Sequence, residues 1–147
     1  MKELFDVHCH MVPGVDDGAA DLEESLAMLK MQHEDGVRKI IITPHYRRRM
    51  FETPAKKVHE QFLKLQEAAK KEYPDMSLYL GCELHSNMDL QDILEKRKYV
   101  TMAGSSYVLL EFSEGDSAQH IRERVYNVLS CGCLLYTSPS PRDISGS

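Results

Sequence analysis

The sequence lacks any uninterrupted apolar run that approaches the roughly 18 residues of a transmembrane helix. Its amino terminus, MKELFDVHCH, has no apolar signal-peptide core and reaches polar residues almost at once. Basic residues are outnumbered, with 18 Lys and Arg against 23 Asp and Glu, which gives a charge of −5. This balance argues against nucleic acid or an anionic membrane surface as the main partner. We therefore expect a cytoplasmic protein that is neither secreted nor inserted into a membrane.

Cysteine is also scarce. Four cysteines in 147 residues fit a reduced cytosolic protein better than a disulfide-linked scaffold. Apolar residues make up 42% of the chain and charged residues 28%, which is typical of a globular protein with enough apolar material for a core. The length corresponds to one ordinary domain or to one part of a larger one.

Strand-like and helix-like segments alternate along the chain. Residues 37–42 form a β-branched run typical of a strand buried on both faces of a parallel sheet. Thr53-Pro54 predicts an N-cap followed by proline at the first helical position. Since the connections are too long for hairpins, the pattern predicts an α/β fold of about four βα units with a parallel sheet. The predicted strands are 3–7, 37–42, 76–80 and 107–110, and the predicted helices are 20–35, 54–73, 89–96 and one from about 117.

The last fourteen residues, LLYTSPSPRDISGS, do not continue this pattern. They contain four Ser and two Pro and show no periodicity, so one interpretation is a flexible polar tail. We favour another interpretation, because the string resembles translated sequencing-adapter read-through. On this hypothesis residues 1–133 belong to the domain, 134–147 are a non-native or disordered tail, and native sequence ends between about 130 and 134.

Two histidines follow the first predicted strand. His8 and His10 are two positions apart, so on an extended chain both imidazoles point to the same side and can bind one ion. Asp6 lies on that side and is expected to orient one of the rings. A His-x-His pattern alone also fits surface histidines. Its position at the end of a strand is what favours a metal site.

Each of the next three predicted strands ends in a further candidate ligand, and these are His45, Glu83 and Glu111. The carboxyl ends of parallel strands meet at one edge, where (β/α) barrels have their active sites. A buried carboxylate there needs a cation to offset its desolvation. A cluster of imidazoles and carboxylates can bind two or three divalent cations and favours hard ions such as Mn²⁺ or Mg²⁺. Asp16-Asp17-Gly18, taken alone, is more typical of a turn than of a ligand.

Four short motifs lie in the first third of the chain. They are Asp6-Val7-His8-Cys9-His10, Pro13-Gly14-Val15-Asp16-Asp17-Gly18-Ala19, Leu22-Glu23-Glu24-Ser25 and Thr43-Pro44-His45-Tyr46. In combination they closely resemble the amino-terminal half of the PHP (polymerase and histidinol phosphatase) superfamily, over about residues 4 to 130. They are most similar to the manganese-dependent tyrosine-protein phosphatases of the CpsB/CapC type.

The resemblance implies a set of functional residues. It assigns Asp17 and His45 to catalysis, and Arg47, Arg48 and Tyr46 are predicted to bind the substrate. An arginine there would bind phosphate or acidic residues beside a phosphotyrosine, whereas the alternative is a solvated basic loop. The metal ligands carried over from the family are His8, His10, Asp17, His45, Glu83 and Glu111.

The resemblance also implies a fold, an activity and a cofactor. The fold would be the amino-terminal part of a distorted (β/α)7 TIM-like barrel. The activity would be hydrolysis of phosphotyrosine on a bacterial tyrosine autokinase that regulates capsular or extracellular polysaccharide synthesis. The cofactor would be two or three Mn²⁺ ions, with Mg²⁺, Fe²⁺ or Zn²⁺ as substitutes. Whether the protein forms a homo-oligomer stays open.

The chain departs from the family pattern in its later part. It lacks the strand that ends in His-Pro-Glu-Arg and the later Asp-x-His of the family. A closed (β/α) barrel usually takes about 200 residues or more, so we expect a C-terminally truncated fragment. Two alternatives stay open: a PHP phosphoesterase for a small phosphomonoester such as histidinol phosphate, and a catalytically incomplete metal-binding fragment.

The cysteines do not indicate a thiol mechanism. A cysteine-dependent phosphatase needs an arginine six positions after its nucleophile, and none of the four cysteines has one. Cys9, which lies between the two candidate ligand histidines, is expected to point away from the metals.

Overall fold

A computed structural model describes residues 2–96 and 101–136. Strands and helices alternate in it, and all neighbouring strands pair in parallel. The predicted α/β fold with parallel sheets is therefore confirmed. The helices are α1 (Leu22–Glu34), α2 (Ala55–Glu72), α3 (Leu90–Lys96) and α4 (Ala118–Ser130), and the strands are β1 (Leu4–Asp6), β2 (Val37–Ile42), β3 (His45–Tyr46), β4 (Ser77–Leu80), β5 (Glu83–His85), β6 (Tyr107–Glu111) and β7 (Leu134–Tyr136).

The strands form two sheets, each with its own core. The first sheet has the order β1-β2-β4 and packs with α1 and α2, whereas the second has the order β3-β5-β6-β7 and packs with α3 and α4. Ile40 and Ile42 of β2 are fully buried in the first core, but Lys39 is exposed. The predicted burial of this strand on both faces is therefore incomplete.

The chain crosses from the first sheet to the second at two places, after β2 and after β4. Gly81 lies at the second crossing, where a Cβ would come within 2.7 Å of Met102 Sδ and 3.2 Å of Ile41 Cγ2. This crowding favours glycine and a break in the strand. The prediction that Glu83 ends the third strand is therefore wrong, since Glu83 is the first residue of β5. His45 likewise begins β3, directly after the first crossing.

The observed helix ends agree with those predicted from the sequence, except at the start of α2. Asp21 accepts a hydrogen bond from Glu24 N at the start of α1, and Gly36 follows that helix with a φ of +92°. The predicted N-cap at Thr53 is wrong, because Pro54 precedes the helix and Thr53 Oγ1 instead donates to Val15 O at 2.8 Å. The apolar face of α2 is confirmed, with Phe62, Leu65 and Ala69 buried.

The carboxyl-terminal part of the described chain is β7, which pairs with β6. The first three residues of the predicted tail, Leu134–Tyr136, thus lie in regular structure and are not disordered. The rest of the tail lies outside the described residues, and the boundary of native sequence stays a prediction. None of the helices in the described ranges has the length and apolar character needed to cross a membrane.

Candidate metal centre

All six predicted metal ligands meet where the two sheets adjoin. His8 and His10 follow the carboxyl end of β1. His45 and Glu83 are the first residues of β3 and β5, and Glu111 is the last residue of β6. His45 and Glu83 are directly opposite each other in the β3–β5 pair, which fixes their separation. Within the described residues the ligand atoms fall into three groups, in each of which they lie within 4.8 Å of one another: His8–His10–Glu83, His10–Asp17–His45 and His45–Glu83–Glu111.

Glu83 is shared by two of these groups. Its Oε2 lies 3.1 Å from His8 Nε2 and 3.0 Å from His10 Nε2. The same oxygen is 3.3 Å from His45 Nδ1. A carboxylate oxygen surrounded in this way can serve as a common ligand of two neighbouring cations.

His45 belongs to two of the three groups, one of which also contains Glu83, and connects them through its two ring nitrogens. Nδ1 lies 3.3 Å from Glu111 Oε2, and Nε2 lies 3.5 Å from Asp17 Oδ1. The Asp17 side chain is 65% exposed, so its carboxylate is the part of the centre that faces solvent. The predicted ligand position of Asp17 is thus consistent with the geometry.

Four buried ligand atoms lack a hydrogen-bond partner although they lie close together. They are His8 Nε2, His45 Nδ1, Glu83 Oε2 and Glu111 Oε2. Buried polar atoms without partners are costly, and a cation placed among them would satisfy all four. Imidazole and carboxylate donors of this kind suit a divalent ion such as Mn²⁺. The residues therefore fit a metal centre.

Asp16 was missed as a functional residue by the sequence analysis. Its side chain is fully buried, and Oδ2 lies 3.1 Å from His10 Nδ1 and accepts a hydrogen bond from His45 N at 2.9 Å. The sequence shows the Asp16-Asp17 pair, but only the fold shows that Asp16 is buried against His10 and His45, whereas Asp17 faces solvent.

Two further expectations concern the residues around His8. Asp6 does not orient an imidazole as predicted: it accepts from the backbone N–H of His8 at 3.0 Å and from Gln32 Nε2 at 2.7 Å. Cys9 packs against the first core, as expected. Burial, together with the negative charges of Asp6 and Asp16, raises the pKa of the Cys9 thiol far above its usual value. This thiol is therefore not a nucleophile.

The charged groups of the centre stabilise one another. Burial disfavours a charged His10, but its hydrogen bond to Asp16 and its close contact with Glu83 outweigh burial and raise the pKa of His10 to about 9. Burial likewise disfavours an ionised Glu83, yet the adjacent rings of His10 and His8 lower the pKa of Glu83 to about 2. His45 also has a raised pKa, because the nearby carboxylates of Glu111 and Glu83 outweigh burial. Without metal, positive charge on His10 thus offsets the buried charge of Glu83.

The three predicted substrate residues lie on the segment that leaves His45. Arg47 and Phe51 exchange two backbone hydrogen bonds of 2.9 and 2.8 Å, which closes a short hairpin beside the centre. The Phe51 ring stacks on His45 with centroids 5.1 Å apart. Arg48 is exposed, whereas Tyr46 is half-buried against the second core. The hairpin thus places the backbone of Arg47 and Arg48 just after His45 in the chain, and their substrate role stays a prediction.

The chain thus combines an α/β fold of parallel strands with a cluster of three imidazoles and three carboxylates that could bind metal ions. The family model for capsular polysaccharide synthesis proteins, CpsB/CapC, matches residues 4–136. The chain belongs to this family.

Named relatives agree with this assignment. The chain is 40% identical to tyrosine-protein phosphatase CpsB of Streptococcus pneumoniae over 129 residues, which are 88% of this chain and 53% of that protein. It is 27% identical to tyrosine-protein phosphatase YwqE of Bacillus subtilis (strain 168) over 125 residues, or 85% of this chain and 49% of YwqE. The chain therefore spans about half the length of the curated relatives it matches.

A solved structure is similar in fold. It comes from work described as crystal structures of YwqE from Bacillus subtilis and CpsB from Streptococcus pneumoniae, unique metal-dependent tyrosine phosphatases. The TM-score is 0.81 at 26% sequence identity, and the match covers 91% of this chain and 54% of the solved chain.

Proposed function

We propose that this chain is the amino-terminal part of a metal-dependent protein-tyrosine phosphatase. The observation that carries the proposal is the convergence of six ligands with four buried, unpartnered donor atoms at the junction of the two sheets. The names of its relatives support the substrate class, because they are tyrosine-protein phosphatases. The metal would be Mn²⁺, and the substrate a phosphotyrosine of a bacterial tyrosine kinase that regulates capsule synthesis in the cytoplasm.

All six residues would hold the ions, which when bound would supply Lewis-acid stabilisation of phosphoryl charge and lower the pKa of water. Asp17 has the most exposed side chain of the six, and His45 Nε2 lies 3.5 Å from its carboxylate, so these two residues would lie on the side of the centre that the substrate reaches. This arrangement supports the catalytic roles predicted for Asp17 and His45.

The rim would bind the phosphorylated partner. Arg47 and Arg48 add positive charge beside a centre that is otherwise rich in carboxylates. Guanidinium groups bind phosphate and carboxylate in a bidentate manner, which suits a phosphotyrosine with acidic neighbours. Tyr46, between His45 and the arginines, would line the mouth of the site.

We further propose that the complete protein is a PHP-type barrel of which these residues form the first four βα units. The four units, all with parallel strands and all contributing to one centre, support this architecture. The chain's span of about half the length of its relatives is consistent with further ligands in their remaining part.

The test is metal-dependent phosphatase activity of the full-length protein. Activity toward a phosphotyrosine peptide should disappear after chelation and return with Mn²⁺, while Mg²⁺, Fe²⁺ and Zn²⁺ are compared at equal concentration. Activity that survives exhaustive chelation would contradict the proposal. Faster turnover of histidinol phosphate than of the peptide would instead support the small-molecule alternative. The 147-residue chain alone should show little turnover, as expected of an incomplete site.

A further inference from the structure

Asp16 is a fully buried carboxylate beside the metal centre and belongs to none of the three ligand groups. Its Oδ1 accepts a hydrogen bond from Gly18 N at 2.9 Å, which closes the turn that carries Asp17. Its Oδ2 accepts from His45 N at 2.9 Å and lies 3.1 Å from His10 Nδ1. One side chain thus joins three segments, each of which carries a proposed ligand.

The contact with His10 decides which nitrogen of that ring is available. A neutral imidazole has one N–H and one lone pair, and a carboxylate can only accept. In the neutral, metal-binding form of His10, Asp16 therefore keeps the proton on Nδ1 and leaves the lone pair on Nε2, which lies 3.0 Å from Glu83 Oε2. In metal sites, such a carboxylate behind a ligand histidine fixes both the tautomer and the orientation of the ring.

The contact with His45 acts on the backbone. His45 begins β3 directly after the chain has crossed between the sheets, and in this position its N–H needs an acceptor. Asp16 supplies that acceptor from a loop 29 residues earlier in the chain. The position of His45 relative to Asp17 therefore depends on Asp16 as well as on the strand pairing.

We propose that Asp16 is the positioning residue of the metal centre: it sets the tautomer of His10 and holds the segments of Asp17 and His45 around the ions. This inference rests on the proposed metal-binding function. It goes beyond a turn-forming role, which needs only the bond from Gly18 N.

The substitution Asp16→Asn separates the two roles. An asparagine whose side-chain carbonyl oxygen faces Gly18 N still accepts the hydrogen bond that closes the turn. Its side-chain NH₂ group then replaces the oxygen that faces His45 N–H and His10 Nδ1, and an NH₂ group can only donate. The His45 bond is lost, and His10 must turn Nδ1 into an acceptor and place its proton on Nε2. Asp21→Asn is the matched control, because Asp21 also accepts a backbone N–H, from Glu24 at 2.8 Å, but lies exposed at the start of α1.

Mn²⁺ titration calorimetry on the 147-residue chain, with thermal unfolding in chelator, is the first measurement. We expect Asp16→Asn to bind Mn²⁺ about 10- to 100-fold more weakly than the parent chain. Asp21→Asn should bind within about twofold, since surface changes away from the site have small effects. In chelator, Asp16→Asn should melt at a lower temperature than Asp21→Asn, because it loses the bond from His45 N and the carboxylate beside His10, so Mn²⁺ affinities are compared at a temperature where both variants are folded.

Nitrogen-15 NMR of the histidine rings in the Zn²⁺-loaded chain is the second measurement. The parent should show a protected Nδ1–H on His10 with Nε2 bound to metal, and Asp16→Asn should lose this pattern. Equal Mn²⁺ affinity of parent and Asp16→Asn, or an unchanged His10 pattern, would overturn the positioning role. A parent chain that binds no Mn²⁺ at all would instead overturn the metal centre itself, and with it this inference. If Asp16→Asn does not fold, the role is structural and the proposal is wrong.

Discussion

At the scale of the residue, Glu83 is contacted through one oxygen by three histidines, at 3.0, 3.1 and 3.3 Å. Contacts with these rings offset its desolvation in the metal-free chain, and bound ions would offset it in the metal-loaded chain. Protons and metal ions therefore compete for the same lone pairs. The stability of the centre should therefore depend on pH differently in the two states.

We expect the metal-free chain to be most stable between pH 4.5 and 6.5. The pKa of His10 is raised from 6.5 to about 9, so its stabilising contribution is complete below 6.5 and is lost as the pH rises through 9. The pKa of Glu83 is lowered from 4.5 to about 2, so its contribution is complete above 4.5 and is lost as the pH falls through 2. Urea unfolding of the metal-free chain from pH 2 to 9 measures the loss of stability on both the acid and the alkaline side.

Saturating Mn²⁺ is the control for this pH profile. Metal binding requires the unprotonated imidazole, so with saturating Mn²⁺ the free energy of unfolding should rise as the pH approaches 6.5 and then stay level up to pH 9 instead of falling. A metal-free profile that is flat over this range would show that His10 is not held by Asp16 and Glu83 as described.

At the scale of the element, the loop between β1 and α1 is folded tightly against the residues it positions. His10 O accepts a backbone hydrogen bond from Ala19 N at 3.2 Å, and Gly14 N donates to Ala19 O at 2.9 Å. A Cβ on Gly18 would lie 2.1 Å from His10 O and 2.7 Å from His10 Cβ. The close approach of Gly18 to His10 is thus a condition for placing Asp17 beside the histidines.

Gly18→Ala should therefore damage both the loop and the metal centre. The clash is with backbone and cannot be relieved by a side-chain rotation, so we expect a loss of about 1–3 kcal/mol in stability and weaker Mn²⁺ binding. Gly115→Ala is the control, because a Cβ there has no neighbour within 4 Å, and it should change stability by less than about 0.5 kcal/mol. Unfolding curves and Mn²⁺ titrations that do not distinguish the two variants would contradict this account.

The elements could be predicted from local pattern, but their interruptions could not. The periodicity of α2 and the β-branched run of β2 are properties of neighbouring residues, and both are confirmed. The break at Gly81 depends on contacts with Met102 and Ile41, which are distant in sequence. Thr53 has the residue type of an N-cap, yet its hydroxyl finds Val15 O across the fold.

The same distinction applies to the candidate site. The six ligands were predicted from strand ends and from family motifs, and the fold brings all of them together. Asp16 could not be assigned, because its role depends on the backbone of His45 and on the ring of His10. Residue type identifies candidate ligands, whereas the residues that orient those ligands are defined by three-dimensional contacts.

At the scale of the whole molecule, the metal centre joins the two cores of the described chain. His8 and His10 leave the sheet of β1, whereas Glu83 and Glu111 belong to the sheet of β5 and β6. A ligand that binds only the folded state stabilises it by RT ln(1 + [L]/Kd). Metal binding should therefore stabilise the molecule as a unit.

We expect Mn²⁺ to raise the melting temperature of the 147-residue chain, and chelator to reverse the shift. At a concentration 100 times its dissociation constant, one bound ion adds about 2.7 kcal/mol. Differential scanning calorimetry over a series of Mn²⁺ concentrations measures the effect, and Glu83→Gln should abolish most of it. A melting temperature that does not depend on Mn²⁺ would contradict the bridging position of the centre.

The crossings at 43–44 and 81–82 have a consequence for how the protein survives in a cell. They divide the described fold into two blocks, and the ligand-bearing edges of both blocks meet at the carboxylate of Glu83. We expect an ion bound there to act as a non-covalent cross-link between the blocks, so that its loss should make the largely buried crossings more accessible to proteases. Metal scarcity should then lower the amount of the protein as well as its metal occupancy.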